Sequence, residues 1–208
     1  MTNLVLFGDS ITAGMTDGYP SPIFSNEIRK YFPNIEIINR GVPGDRTDLA
    51  LSRIQADVLQ SNPDIVTIFF GTNDVTDEGP DYQTFISNIK EMVTLIGIKK
   101  CILITPGITG TSLQTLYPNQ KLSQYAQGIV ALAEELNVTY YDWHSIALTY
   151  KSSDLLQVDD IHYSKKAYEL LVQGLVPLIE AKDKISMENK EKDLLENQWL
   201  YTNSTYSN

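Results

Sequence analysis

The 208-residue chain contains one cysteine, two histidines and only 16 basic residues against 26 acidic ones. A lone Cys101 excludes an intramolecular disulfide. Its setting in the apolar run Lys100-Cys101-Ile102-Leu103-Ile104-Thr105 is that of an inert thiol in a buried strand. Two histidines and one cysteine, none paired at ligand spacing, argue against a metal site, and no cofactor is implied. The formal charge of −10 argues against nucleic-acid and anionic-membrane partners, because both require a basic face. No apolar stretch approaches the roughly eighteen residues needed to span a membrane. There is no G-x-x-x-x-G-K-[ST] phosphate loop and no G-x-G-x-x-G after any strand candidate, which removes the usual nucleotide-binding readings. The N-terminal Leu4-Val5-Leu6-Phe7 lacks a basic flank and runs into Gly8-Asp9. It therefore reads as a first strand rather than a secretion signal, and a cytoplasmic protein is expected.

What the chain does have is alternation. Short apolar runs predict strands at Leu4–Phe7, Glu36–Asn39, Ile65–Phe70, Cys101–Thr105 and Val138–Asp142. Helical periodicity predicts helices near Ser21–Phe32, Thr47–Leu59, Tyr82–Ile96, Pro118–Leu136 and Ser164–Lys182. Near-continuous apolar strands are those of a parallel sheet covered on both faces, so one α/β/α sandwich over residues 1–182 is expected. In the second helix Leu49, Arg53, Ala56 and Leu59 keep helical spacing, with Asp45 and Thr47 as caps. In the last, Ala167, Leu170, Leu171, Leu175, Leu178 and Ile179 form an apolar stripe. From Asp183 the pattern becomes polar. Residues 183–208 read as an appended, partly frayed helix and tail in which Leu194, Leu195, Trp199 and Leu200 form a sparse stripe able to dock on the domain or on a second subunit.

In an open α/β sheet, chemistry gathers at the carboxyl ends of the strands. The first strand ends in Gly8-Asp9-Ser10, which holds a hydroxyl at the rim. The second delivers Gly41, whose backbone amide is a potential donor, and the third ends in Gly71-Thr72-Asn73-Asp74, which brings a carboxamide to the same edge. A hydroxyl, an amide and a carboxamide are the parts of a nucleophile and an oxyanion hole. The missing base is supplied by His162, directly before the last helix. Asp159, three residues earlier in a tight turn, can reach its Nδ1–H. His144 lacks such an acidic turn and reads as a surface or supporting histidine.

Gly8-Asp9-Ser10, Gly41, Gly71-Thr72-Asn73-Asp74 and Asp159-Asp160-Ile161-His162, in that order over about Leu4–Lys182, resemble the four sequence blocks of the GDSL, or SGNH, hydrolase family. The resemblance implies a flavodoxin-like, five-stranded parallel sheet and metal-free hydrolysis of esters. It casts Ser10 as nucleophile, His162 as base, Asp159 as its orienting acid, and Ser10, Gly41 and Asn73 as oxyanion donors. The expected substrate is a small carboxylic ester, with lysophospholipids or thioesters of longer chains as the alternative. Met15, Tyr19, Val75, Tyr82, Ile108, Leu113, Tyr117, Leu155 and Leu156 are candidates for the cleft wall. A domain of this fold can also bind a small ligand without turning it over. The oligomeric state is not legible.

Overall fold

The five apolar runs, each too short to bury a helix face, align as one parallel sheet in the computed structural model. The model describes residues 1–204, with side chains as far as Glu196. The strands are β1 (Asn3–Gly8), β2 (Glu36–Gly41), β3 (Ile65–Phe69), β4 (Cys101–Ile104) and β5 (Thr139–Tyr141), in the order β2-β1-β3-β4-β5. The expected fold class is found. Strand residues alternate between two cores. Leu4, Leu6, Ile65, Ile102 and Ile104 face one side with helices α2 (Ile23–Tyr31) and α8 (Lys165–Ser204). Val5, Phe7, Val66, Ile68 and Leu103 face the other with α3 (Thr47–Asp57), α4 (Tyr82–Ile96) and α5 (Asn119–Leu136). From β1 the chain steps outward to β2, then returns past β1 to β3. The ends of these three strands therefore border the crevice where the strand order reverses.

Three short helices lie outside the expected set: α1 (Ser10–Ala13), α6 (Trp143–Ala147) and α7 (Ser152–Leu155). One turn is too short to leave a periodic signature. Asp9 starts α1 by accepting a hydrogen bond from the Ile11 N–H (2.8 Å), and Gly14, at φ +75°, ends it. The helix lies directly against β2, because a Cβ on Gly41 would sit 2.1 Å from the Ala13 nitrogen.

Two expectations for α3 are corrected. Its buried face is Thr47, Ala50 and Ile54, while Leu49 and Ala56 face solvent. Asp45 caps nothing. Its carboxylate takes hydrogen bonds from Arg53 Nε (2.8 Å) and Nη2 (2.5 Å). Thr47 donates its hydroxyl to Asp74 Oδ1 (2.6 Å) instead of capping.

The stripe expected on α8 is buried at Ala167, Leu171, Leu175 and Ile179, joined by Tyr168 and Val172. The helix does not break at 183. It continues through Pro177 and past the polar boundary, where Lys190 Nζ donates to Met1 O (2.9 Å) and Asp64 Oδ2 (2.6 Å). Leu194 and Leu195 are exposed, and the side chains of Trp199 and Leu200 lie outside the described residues. Among the described residues no helix is long and apolar enough to cross a membrane.

The buried Tyr168 hydroxyl donates to the Ile11 carbonyl at 2.7 Å, fastening α8 to α1. The Ile11 carbonyl also accepts from the Gly14 N–H (3.1 Å), so Tyr168→Phe removes one of its two donors. It should lower stability by about 0.5–1.5 kcal/mol in urea denaturation, and a change under a few tenths would show that the bond carries no weight.

Candidate active site

Ser10 opens the first turn of α1 and is 6% exposed. N–H groups in a first helical turn have no partner within the helix. Its neighbour Asp9 is buried, with Oδ1 on the Ile11 N–H and Oδ2 facing Asn73 Nδ2 at 3.4 Å.

Asn73 stands in a turn that needs glycine at Gly71, where φ is +121°. Asp74 locks that turn against α3, accepting from the N–H of Gly71 (3.1 Å), the N–H of Thr47 (2.8 Å) and the Thr47 hydroxyl. Asn73 Nδ2 donates to the Asp45 carbonyl at 3.0 Å. Asn73 lines a cavity of 390 Å³ with Gly44, Arg46, Thr76, Leu116 and Tyr117.

Gly41 is not there. Its N–H donates to Asn39 Oδ1 (2.9 Å), and it lines a separate cavity behind α1 with Asn39, Ser25 and Arg29. The Gly41 amide is thus engaged at the strand end. Gly44, three residues on, has φ +78° and open space around it. Its N–H makes no hydrogen bond among the described residues. The stretch Gly41-Val42-Pro43-Gly44 carries two glycines after the strand. The signal for the second is that a turn of this kind needs a positive φ.

The Asp159 turn has the anticipated geometry. Oδ1 accepts from the N–H groups of Ile161 (3.2 Å) and His162 (3.0 Å), and Oδ2 accepts from His162 Nδ1–H at 2.7 Å. Burial pushes the Asp159 carboxyl up, but these hydrogen bonds outweigh it and hold the group below the ordinary carboxylate range. With Nδ1 carrying the proton, His162 Nε2 keeps its lone pair. Gln157 ties this turn to the segment that follows Ser10. Its Nε2 donates to Met15 O (2.7 Å), its Oε1 accepts from the Asp17 N–H (3.1 Å), and its own N–H donates to His162 O (2.8 Å).

His144 is not a surface residue. It is 4% exposed, with Nδ1–H shared between the carbonyls of Pro106 (3.1 Å) and Gly107 (3.0 Å) and Nε2 accepting from the Ser123 hydroxyl (2.7 Å). It pins the loop after β4. Of the candidate wall residues, Val75, Ile108, Leu155 and Leu156 are buried in the protein, and only Tyr117 lines the Asn73 cavity. Leu116, which was not anticipated, lines it too. Cys101 is buried, and burial pushes its thiol up to about 12, as expected of an inert strand residue.

Three buried acids surround Asn73. Burial, reinforced by the charges of Asp74 and Asp45, pushes Asp9 up to about 7, against the pull of the Ile11 N–H. Burial likewise pushes Asp74 up to about 6 and raises Asp45, although Arg53 pulls the latter down. A carboxyl whose pKa is higher folded than unfolded binds more protons in the native state, so its contribution to stability falls as pH rises between the two values. For Asp9 that window runs from 3.8 to about 7. Thermal unfolding of Asp9→Asn should therefore lose ground to wild type at pH 4 and recover relative to it by pH 8. A difference that stays constant with pH would mean that Asp9 is ionised at the lower pH too.

The chain matches the model of the GDSL-like Lipase/Acylhydrolase family over residues 6–170. A human protein named isoamyl acetate-hydrolyzing esterase 1 homolog is 29% identical to it over 86% of this chain and 82% of its own. The isoamyl acetate-hydrolyzing esterase of Saccharomyces cerevisiae is 28% identical over 85% of each chain. Among solved structures, a lipase/acylhydrolase from Enterococcus faecalis superposes with a TM-score of 0.83 at 33% identity, covering 88% of this chain and 97% of that one. An acetylxylan esterase from Geobacillus stearothermophilus, at 20% identity and a TM-score of 0.67, shares the fold. With its five-stranded parallel sheet and its blocks at the strand ends, this chain belongs to the GDSL-like lipase/acylhydrolase family of ester hydrolases.

Proposed function

We propose that the protein is a serine esterase that cleaves short-chain carboxylic esters, acetates foremost, through an acyl-enzyme on Ser10. The observation that carries the proposal is the Asp159–His162 hydrogen bond, on a turn that Gln157 ties to the segment after Ser10. A serine hydroxyl is a weak nucleophile until a base takes its proton. Here His162 Nε2 takes the proton as Ser10 Oγ attacks the ester carbonyl and then returns it to the departing alcohol oxygen. Asp159 keeps the imidazole in the Nδ1–H tautomer and balances the imidazolium. Water, activated by the same imidazole, then releases the acid and restores Ser10.

The oxyanion of each tetrahedral intermediate falls to the N–H of Ser10 and Gly44 and to Asn73 Nδ2. Gly44 replaces Gly41 in this set, because its amide is free and it shares a cavity with Asn73. The acetate preference rests on the relatives named for isoamyl acetate. The apolar residues that could have lined a long acyl channel, Ile108, Leu155 and Leu156, are spent in the core. A small-molecule substrate, no nucleic-acid partner and a cytoplasmic setting complete the proposal, the first two in keeping with the formal charge of −10.

Turnover of a p-nitrophenyl ester series tests this directly. Acetate and butyrate should give higher kcat/KM than chains of ten carbons or more, and a steady rise toward the long chains would move the enzyme to the lysophospholipase class. Ser10→Ala and His162→Ala should each fall to near background, and the double variant should be hardly worse than either. Asn73→Ala should lose about 10²–10³ in kcat. A rate in Asn73→Ala within threefold of wild type would remove it from the oxyanion hole.

A further inference from the structure

Between Asp159 and His162 the backbone does something an ordinary residue resists. Asp160 holds φ +61°, a left-handed conformation that costs any residue with a Cβ, though aspartate tolerates it better than most. The surroundings that hold it there belong to another loop. Asp160 Oδ2 accepts from the Ser112 N–H (3.2 Å) and the Ser112 hydroxyl (2.6 Å), and the Asp160 carbonyl accepts from the Gly110 N–H (2.7 Å). The two loops are so close that a Cβ on Gly110 would meet the Asp160 carboxyl carbon at 2.1 Å.

The loop that carries Ser112 is stiff. Asn119 Oδ1 accepts from the Thr109 N–H and Asn119 Nδ2 donates to the Thr109 carbonyl, both at 2.9 Å. Gln114 Nε2 donates to the Gly110 carbonyl (2.9 Å), and Gln114 Oε1 accepts from the Asn119 N–H (2.9 Å). The same loop contributes Leu116 and Tyr117 to the cavity that contains Asn73. Asp160 ties this cross-linked segment to the turn that carries His162.

We propose that Asp160 is a positioning residue that clamps the Asp159–His162 turn to the substrate-wall loop through Ser112, so that the imidazole and the cavity wall keep one fixed geometry. The proposal rests on the reading of His162 as the base. It goes beyond that reading by giving a role to a residue that touches neither the nucleophile nor the imidazole. Misplacing a reacting group by about an ångström is enough to cost a large factor in rate.

Three variants separate clamping from mere support of the fold. Asp160→Gly accepts φ +61° without strain but has no carboxylate. Asp160→Asn keeps an acceptor for Ser112 and tolerates the same backbone. Ser112→Ala removes one of the two side-chain clamps. With p-nitrophenyl acetate, Asp160→Gly should lose about tenfold in kcat with its thermal unfolding temperature near wild type. Asp160→Asn should stay within twofold, and Ser112→Ala should lose about threefold in the wild-type background but nothing further in Asp160→Gly. The proposal is overturned if Asp160→Gly keeps kcat within twofold, if Asp160→Asn is as slow as Asp160→Gly, or if the two losses multiply. His162→Ala, run alongside, distinguishes the two levels. If it is inactive while Asp160→Gly is normal, the clamp alone fails, whereas a His162→Ala that keeps its rate overturns the base and the clamp together.

Discussion

Everything at the catalytic edge depends on how closely α1 lies on the sheet. A side chain on Gly8 would sit 2.1 Å from the Thr12 hydroxyl oxygen and 2.6 Å from the Phe69 carbonyl, and one on Gly41 would sit 2.1 Å from the Ala13 nitrogen. Only with bare backbone at the ends of both strands can a single helical turn settle there, and only then does Ser10 emerge at the junction of β1, β2 and β3. Gly41 thus has a packing role. Its amide goes to Asn39, and the turn beyond it brings Gly44 to the cavity that holds Asn73. The contact is reinforced from the far side by Tyr168, whose hydroxyl reaches across the core to the Ile11 carbonyl.

The second constraint is electrostatic. Asp9, Asp45 and Asp74 are all buried around one carboxamide, and Arg53 pairs with one of them, Asp45. It holds Asp45 and Asp57, donates to the Gly8 carbonyl (3.1 Å), and lies 4.5 Å over the Phe7 ring. Burial works against ionisation of all three. Here Asp9 starts the helix of Ser10, Asp74 ties the Asn73 turn to α3, and the Asp45 carbonyl takes one of the Asn73 amide protons. The carboxylates orient the neighbours of Asn73.

The sheet was legible because β-branched and aliphatic runs separated by helical periods have few other solutions, and the five strand positions agree with the structure to within a residue or two. The face of α3 was not: its buried residues are Thr47, Ala50 and Ile54, and their partners across the core lie far away in sequence. At the site, the Asp159–His162 spacing carried its own geometry, as a local turn does. For Gly41, a glycine after a strand signals close approach without saying to what, and here the close partner is Ala13. The burial of His144 was not legible. Its partners, the Pro106 and Gly107 carbonyls and Ser123, come from elements distant in sequence, so nothing near it foretold its burial.

That burial creates a natural competitor for the central assignment. Ser123 and His144 form a hydrogen-bonded serine–histidine pair at 2.7 Å, lacking the carboxylate that Asp159 supplies to His162. Reaction with a fluorophosphonate, followed by peptide mass mapping, asks the protein which serine is activated. A single adduct on the peptide containing Ser10, abolished in His162→Ala, is the predicted result. An adduct on Ser123, or labelling of Ser10 that persists without His162, would contradict the account.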